Sequence, residues 1–237
     1  MTAEKAIILL LLPVLWAGSD AFPSNSSMNF GIQSHSLKIQ IEPHNHLLQA
    51  EDEIEILLHQ DRTESISLLL YSKLIIKSIV NSKTGERLRW HEVPYSDRLK
   101  QLNISLKKMG KGPASLSISY EGPIYDPVMK EKALQFVKGD ETSGLIGAEG
   151  IYLFSSSYWY PDKLGSAAIF SLEVSIPEPF RVVTQGELLS EELKDGFWRS
   201  KWRSERPTEG LALVAGNYTV RSRKVNGVKI STYFFPE

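Results

Sequence analysis

Along most of this chain, apolar and polar residues alternate one for one. In "SLKIQIE", Leu37, Ile39 and Ile41 share one side. In "LQAEDEIEILLHQ", Leu48, Ala50, Ile54, Ile56 and Leu58 face one way, and Gln49, Glu51, Glu53 and Glu55 the other. Alternation of period two predicts strands with one buried and one wet face. The same pattern recurs in "SISLLLY", "LIIKSIV", "RLRW", "LNISL", "SLSISYEG" and "IFSLEVSIPE", then in "FWRSKWRS", "LALVAG", "NYTVRSR" and "VKISTYFF". Turn residues punctuate the runs in "NSKTGE", "KKMGKGP" and "KVNGVK", and the Asn226-Gly227 pair is a hairpin signal. One stretch, "PVMKEKALQFVKG", predicts a helix over about Val128 to Val137, stopped by Gly139. The expected fold is all-β: a bent or saddle-like antiparallel β-sandwich of many strands with at most one short helix.

The first residues break this pattern. Lys5 precedes an apolar run from Ala6 to Ala17, followed by small residues at Ser19 and Ala21. About a dozen apolar residues are short for a bilayer span and suit a secretory signal. A signal peptide over 1–21, cut after Ala21, is expected, with an uncleaved membrane anchor as the alternative. A flexible lead-in over 22–35 and one β domain over 36–237 complete the plan. The expected localisation is therefore exported, periplasmic or extracellular, with no membrane span in the mature chain.

Composition adds exclusions. Lys plus Arg (27) nearly balances Asp plus Glu (28), so net charge draws the chain to neither nucleic acid nor an anionic surface. There is no cysteine, which removes disulfides, thiol nucleophiles and Cys–zinc sites together. Sequons stand at Asn25, Asn103 and Asn217 and matter only in a host that glycosylates.

Candidate chemistry is sparse. "WHEVPY" (Trp90–Tyr95) opens like H-E-x-x-H, but Tyr95 stands where the second histidine belongs and Pro94 would break the helix that motif needs. A strand running into a turn is expected there. His44 and His46 are the one close histidine pair, in a turn; with Glu42 or Glu51 they are the alternative zinc set. "SSSYW" (Ser155–Trp159) lacks a neighbouring His–Asp arrangement, and Glu51, Glu53 and Glu55 within Ala50–Glu55 read as a solvated strand face rather than a calcium site. In "FWRSKWRSERP", Trp198 and Trp202 lie opposite Arg199, Lys201 and Arg203, which argues against a shared stacking platform. No catalytic or metal-ligating residue is assigned.

The most distinctive run is "GLIGAEGIYLFSSSYWYPDKLGSAAIFSLEVSIPEPFRVVTQGEL" (Gly144–Leu188): an A-E-G turn, a short strand, a W-Y-P loop and a long amphipathic strand. It resembles the N-terminal domain of the aminopeptidase N family of zinc metallopeptidases, the gluzincins. "HSLKIQIEPHNHLLQAEDEIEI" is similar to that family's opening hairpin, and "LALVAGNYTVRSRKVNGVKISTYFFPE" to its closing strands, so the resemblance covers about Ser36 to Glu237. It implies a saddle-like, non-catalytic domain of an exported metalloaminopeptidase. Its partners would be the enzyme's own catalytic domain and the amino terminus of a peptide substrate. Zinc, H-E-x-x-H and G-x-M-E-N would belong to a downstream catalytic domain, so no cofactor is expected in this chain. The family phrase that reaches the substrate amine corresponds to Ile146–Gly150. On that alignment the anchor position is Gly147, which has no side chain, and Glu149, with Ala148 and Gly150, becomes the substrate-binding candidate. Tyr158, Trp159 and Tyr160 become an interdomain or cleft wall, with core packing as the other reading. The alternative function is a stand-alone secreted β-sandwich that binds a peptide, glycan or protein through this aromatic loop.

Overall fold

The computed structural model of the chain describes residues 29–106, 109–127 and 144–236. The expected signal peptide and the helix expected at Val128–Val137 lie outside the described residues. Among the described residues there are sixteen strands. In chain order they are β1 (Phe30–Glu42), β2 (Leu47–Leu58), β3 (Ser65–Tyr71), β4 (Ile75–Asn81), β5 (Trp90–Pro94) and β6 (Leu99–Ser105). Next come β7 (Gly112–Pro123), β8 (Leu145–Gly147), β9 (Gly150–Leu153), β10 (Ile169–Pro177) and β11 (Arg181–Thr184). The last are β12 (Glu187–Lys194), β13 (Phe197–Arg203), β14 (Leu213–Gly216), β15 (Thr219–Val225) and β16 (Val228–Phe234).

Three sheets share one core. The large sheet has the order β12-β13-β10-β1-β2-β7-β4, and smaller sheets run β11-β14-β9-β8 and β3-β6-β5. Inward residues of the large sheet (Ile39, Ile54, Ile118, Val174) join those of the small sheets (Leu68, Ile104, Ile151, Leu213) in a single buried cluster. Each such side chain contributes about 1.5–3 kcal/mol by leaving water. β15 and β16 form a separate two-stranded ribbon, closed by Asn226 (φ 48°) and Gly227 (φ 84°), the left-handed pair that a two-residue hairpin requires.

Two details refine the expected all-β plan. The lead-in does not extend to residue 35: β1 starts at Phe30, and Phe30 and Ile32 are buried against the core. The large sheet is mixed rather than antiparallel, because β1 and β10 run parallel, with Leu37 opposite Leu172 and Ile39 opposite Val174. Both strands carry the same period-two pattern, and side-chain alternation is blind to strand direction.

The solvent face of the large sheet is neutralised locally. Lys201, Glu173, Lys38 and Glu51 stand directly opposite one another across four strands, with Lys201 Nζ 2.9 Å from Glu173 Oε1. Opposite charges facing each other across strands are mildly stabilising. On β13, Trp202 is buried while Arg199, Lys201 and Arg203 are exposed.

Candidate functional site

The four-stranded sheet differs from the others in having two apolar faces. Ile146, Ile151, Leu213 and Val182 point into the core. On the opposite face the pairing register aligns Tyr125 with Leu145, Leu145 with Tyr152, Tyr152 with Val214, and Val214 with Val183. Directly paired residues share a face, so these five form one apolar row across the outside of the sheet. Tyr125 (40%) and Tyr152 (44%) are exposed, and Phe154 (36%) packs its ring 4.1 Å from Tyr152. Apolar residues on both sides of a strand mark a sheet built to be covered on both sides.

The A-E-G turn closes the β8–β9 hairpin at the end of this row. Ala148 and Glu149 are exposed, and Gly150 is half-buried with φ 151°, a conformation that favours glycine. The Glu149 carboxyl folds back over Gly147: a Cβ built on Gly147 would lie 2.6 Å from Glu149 Cδ. The carboxylate thus occupies the space that a side chain at 147 would fill. The Tyr125 hydroxyl lies 3.5 Å from Glu149 Oε1, and the Tyr125 ring packs 3.9 Å from that of His46. His46 Nδ1 donates to the Ile146 carbonyl (2.6 Å), fastening the β1–β2 turn to β8.

The aromatic loop is placed differently from the cleft wall expected of it. Trp159 and Tyr160 are buried core residues, 0% and 1% exposed. Trp159 Nε1 donates to the Leu211 carbonyl (3.1 Å), and the Leu211 amide donates to the Tyr160 hydroxyl (2.9 Å). Tyr158 alone is half-buried, in a left-handed conformation (φ 51°), with its carbonyl accepting from the Tyr71 amide (2.8 Å). An outward wall therefore reduces to Tyr158, and a stand-alone binding module loses its two largest contact residues. The row through Tyr125 and Tyr152 was not singled out from sequence. Its signal was the unbroken apolar run "IYLF" beside "LALVA".

A second constellation also escaped the sequence reading. His35, on the core face of β1, is fully buried, and its Nδ1 donates to Asp52 Oδ2 (2.8 Å) on β2. Its Nε2 lies 3.8 Å from Asp162 Oδ1, too long for a hydrogen bond but close enough for strong attraction. Phe170 stacks on the imidazole at 5.1 Å, and Tyr160 meets it edge-on at 5.2 Å. Burial alone would push the His35 pKa down. The Asp52 and Asp162 carboxylates outweigh that and hold it up at about 9. Burial pushes the Asp52 carboxyl up, against the pull of His35. Period two does mark His35 and Asp52 as inward polar residues among the apolar ones, which was the available signal.

The metal readings resolve simply. "WHEVP" is strand β5, with His91 and Glu92 exposed. His44 and His46 sit in and just after a single 3-10 turn. Among the described residues, no group of three His, Cys, Asp or Glu side chains converges to hold a metal ion.

No family model matches the chain, and no curated protein matches it. Solved structures do. An M1 zinc metallopeptidase from Deinococcus radiodurans superimposes with a TM-score of 0.64 at 15% identity, over 83% of this chain and 44% of that one. A mutant of that enzyme bound to a Tyr-Ser-Ala substrate gives 0.64 and 15% over 86% and 46%. Native yeast LTA4 hydrolase gives 0.57 and 13% over 83% and 30%. The fold is that of part of these M1 zinc metallopeptidase structures. The chain spans under half the length of these M1 structures, and it resembles a β domain that forms part of them.

Proposed function

We propose that this chain is the non-catalytic β domain of an exported M1 aminopeptidase-like protein, and that it docks on a catalytic unit and lines part of the substrate cleft. The outward row Tyr125–Leu145–Tyr152–Val214–Val183 carries this reading: it is an apolar strip on a sheet whose other face already forms core. The catalytic unit covers that strip and supplies the zinc and the chemistry. Glu149, at the end of the strip, presents a carboxylate in the space above Gly147 and pairs there with the substrate's ammonium group. Export rests on the apolar N-terminal run, and processing after Ala21 would leave Phe22 as the first residue.

The test is the native polypeptide from its source. Its reading frame is followed past Glu237, its amino terminus is sequenced, and its activity is assayed on free-amine and N-acetylated peptides. A catalytic unit with H-E-x-x-H is expected downstream. In that protein Glu149→Ala should raise KM for free-amine peptides about tenfold, the loss of one charge-assisted hydrogen bond, with little change in kcat. An unchanged KM removes Glu149 from the cleft. A native mass equal to this chain alone removes the aminopeptidase reading altogether.

A further inference from the structure

The segment between β9 and β10, residues 154–168, crosses the place where all three sheets meet. It touches the three-stranded sheet through the amide and carbonyl of Asp162, which exchange hydrogen bonds with Leu69 (3.0 and 2.7 Å). It touches the four-stranded side through Trp159 and Tyr160 on Leu211. It touches β1 through Lys163 Nζ, which donates to the Phe30 carbonyl (2.7 Å), and through Asp162 facing His35. The Asp162 carboxylate is held for this by the Lys163 amide (2.7 Å) and the Ser166 hydroxyl. By contrast β1 is paired with β2 along almost its whole length. Segments with few ladder hydrogen bonds open at lower free energy than paired strands.

We propose that residues 154–168 form a strap latched by the proton on His35, whose charge sits between Asp52 in the large sheet and Asp162 in the strap, and that losing this proton favours opening of the strap over unfolding of the sheets. The charged and titratable groups facing His35 are Asp52 from β2 and Asp162 and Tyr160 from the strap, while Tyr120 from β7 and Glu53 act on Asp52. Phe170 of β10 covers the remaining side of the ring. With the proton in place, one cation sits between two carboxylates. Without it, two buried carboxylates face each other across a neutral ring. Because the folded pKa (about 9) lies above the ordinary 6.5, the latch is fully engaged below pH 6.5 and is lost as pH rises through 9. The upward shift of Asp52 has the same sign at lower pH. Phe154, at the start of the strap, packs on Tyr152 at the border of the outer apolar row. The latch is independent of what covers that row.

Trypsin reads the latch in the full chain. Lys163 is half-buried in the strap beside exposed Leu164, whereas Lys38 lies within β1. Cleavage after each is followed by mass spectrometry at pH 7.0 and 9.5. Rates are divided by those of unfolded peptides carrying the same sites at the same pH. Normalised cleavage after Lys163 should rise on the order of fifty-fold from linkage, with cleavage after Lys38 unchanged. Asp162→Asn should raise Lys163 cleavage already at pH 7.0 and flatten its pH dependence. A parallel rise at Lys38 would show that the cluster belongs to the global core and not to a latch. Equal Lys163 cleavage at both pH values would also overturn the proposal.

Discussion

His35→Leu should destabilise the domain by about 3–5 kcal/mol, more than half of what a marginal domain has to lose. The leucine fills the space well enough. The cost comes from Asp52, which is fully buried with its Oδ1 already making no hydrogen bond and would then lose the one partner of its Oδ2. Asp52→Val alone should cost a similar amount by leaving the imidazolium without its closer carboxylate. The double variant His35→Leu with Asp52→Val should be the informative one, because exchanging a whole buried pair for apolar residues of similar volume is often near neutral. Urea unfolding followed by tryptophan fluorescence would give all three values. The two single losses should sum to at least about 2 kcal/mol more than the double. Strict additivity would mean that the pair is not coupled and that the 2.8 Å contact contributes little.

Trp159→Ala is the second large effect, at about 3–5 kcal/mol, because it removes a fully buried indole where the strap crosses between sheets. For a domain of this size that corresponds to a drop in Tm of roughly 6–20 °C. Trp159→Phe keeps most of the volume and loses the bond to the Leu211 carbonyl, so it should cost only about 1–3 kcal/mol. Thermal unfolding by circular dichroism separates the two. A near-neutral Trp159→Ala would place the indole on the surface, and the outward-facing wall would then regain its largest member.

These two sites show how far local pattern reaches. β2, β7, β10 and β1 from Leu37 onward could be read from the alternation, since each buries one face, whereas the start of β1 was hidden by its register shift between Ile32 and Ser34. The strand nature of Trp90–Pro94 was equally legible from Tyr95 and Pro94, which deny that stretch a metal-binding helix. Glu149 could be picked out as the acid of its turn, but its position above Gly147 depends on how the hairpin closes.

What the sequence determined by itself is the element content: many half-buried strands, a two-residue hairpin at Asn226-Gly227, no cysteine, and neither an H-E-x-x-H nor a G-x-M-E-N motif anywhere in the chain. Those are local properties, set by side-chain period and residue type. Only the tertiary structure decided which residues share a site. The parallel seam of β1 and β10 brings Phe170 to His35, the strap carries Asp162 to the same point, and pairing across five segments lines Tyr125 up with Val183. Trp159 and Tyr160 look like surface aromatics in a loop, yet they fill the core because three sheets converge on them. Alternation records which side of a strand is dry. It carries no record of which distant strand lies beside it, and that pairing places the buried charge and leaves one apolar face open.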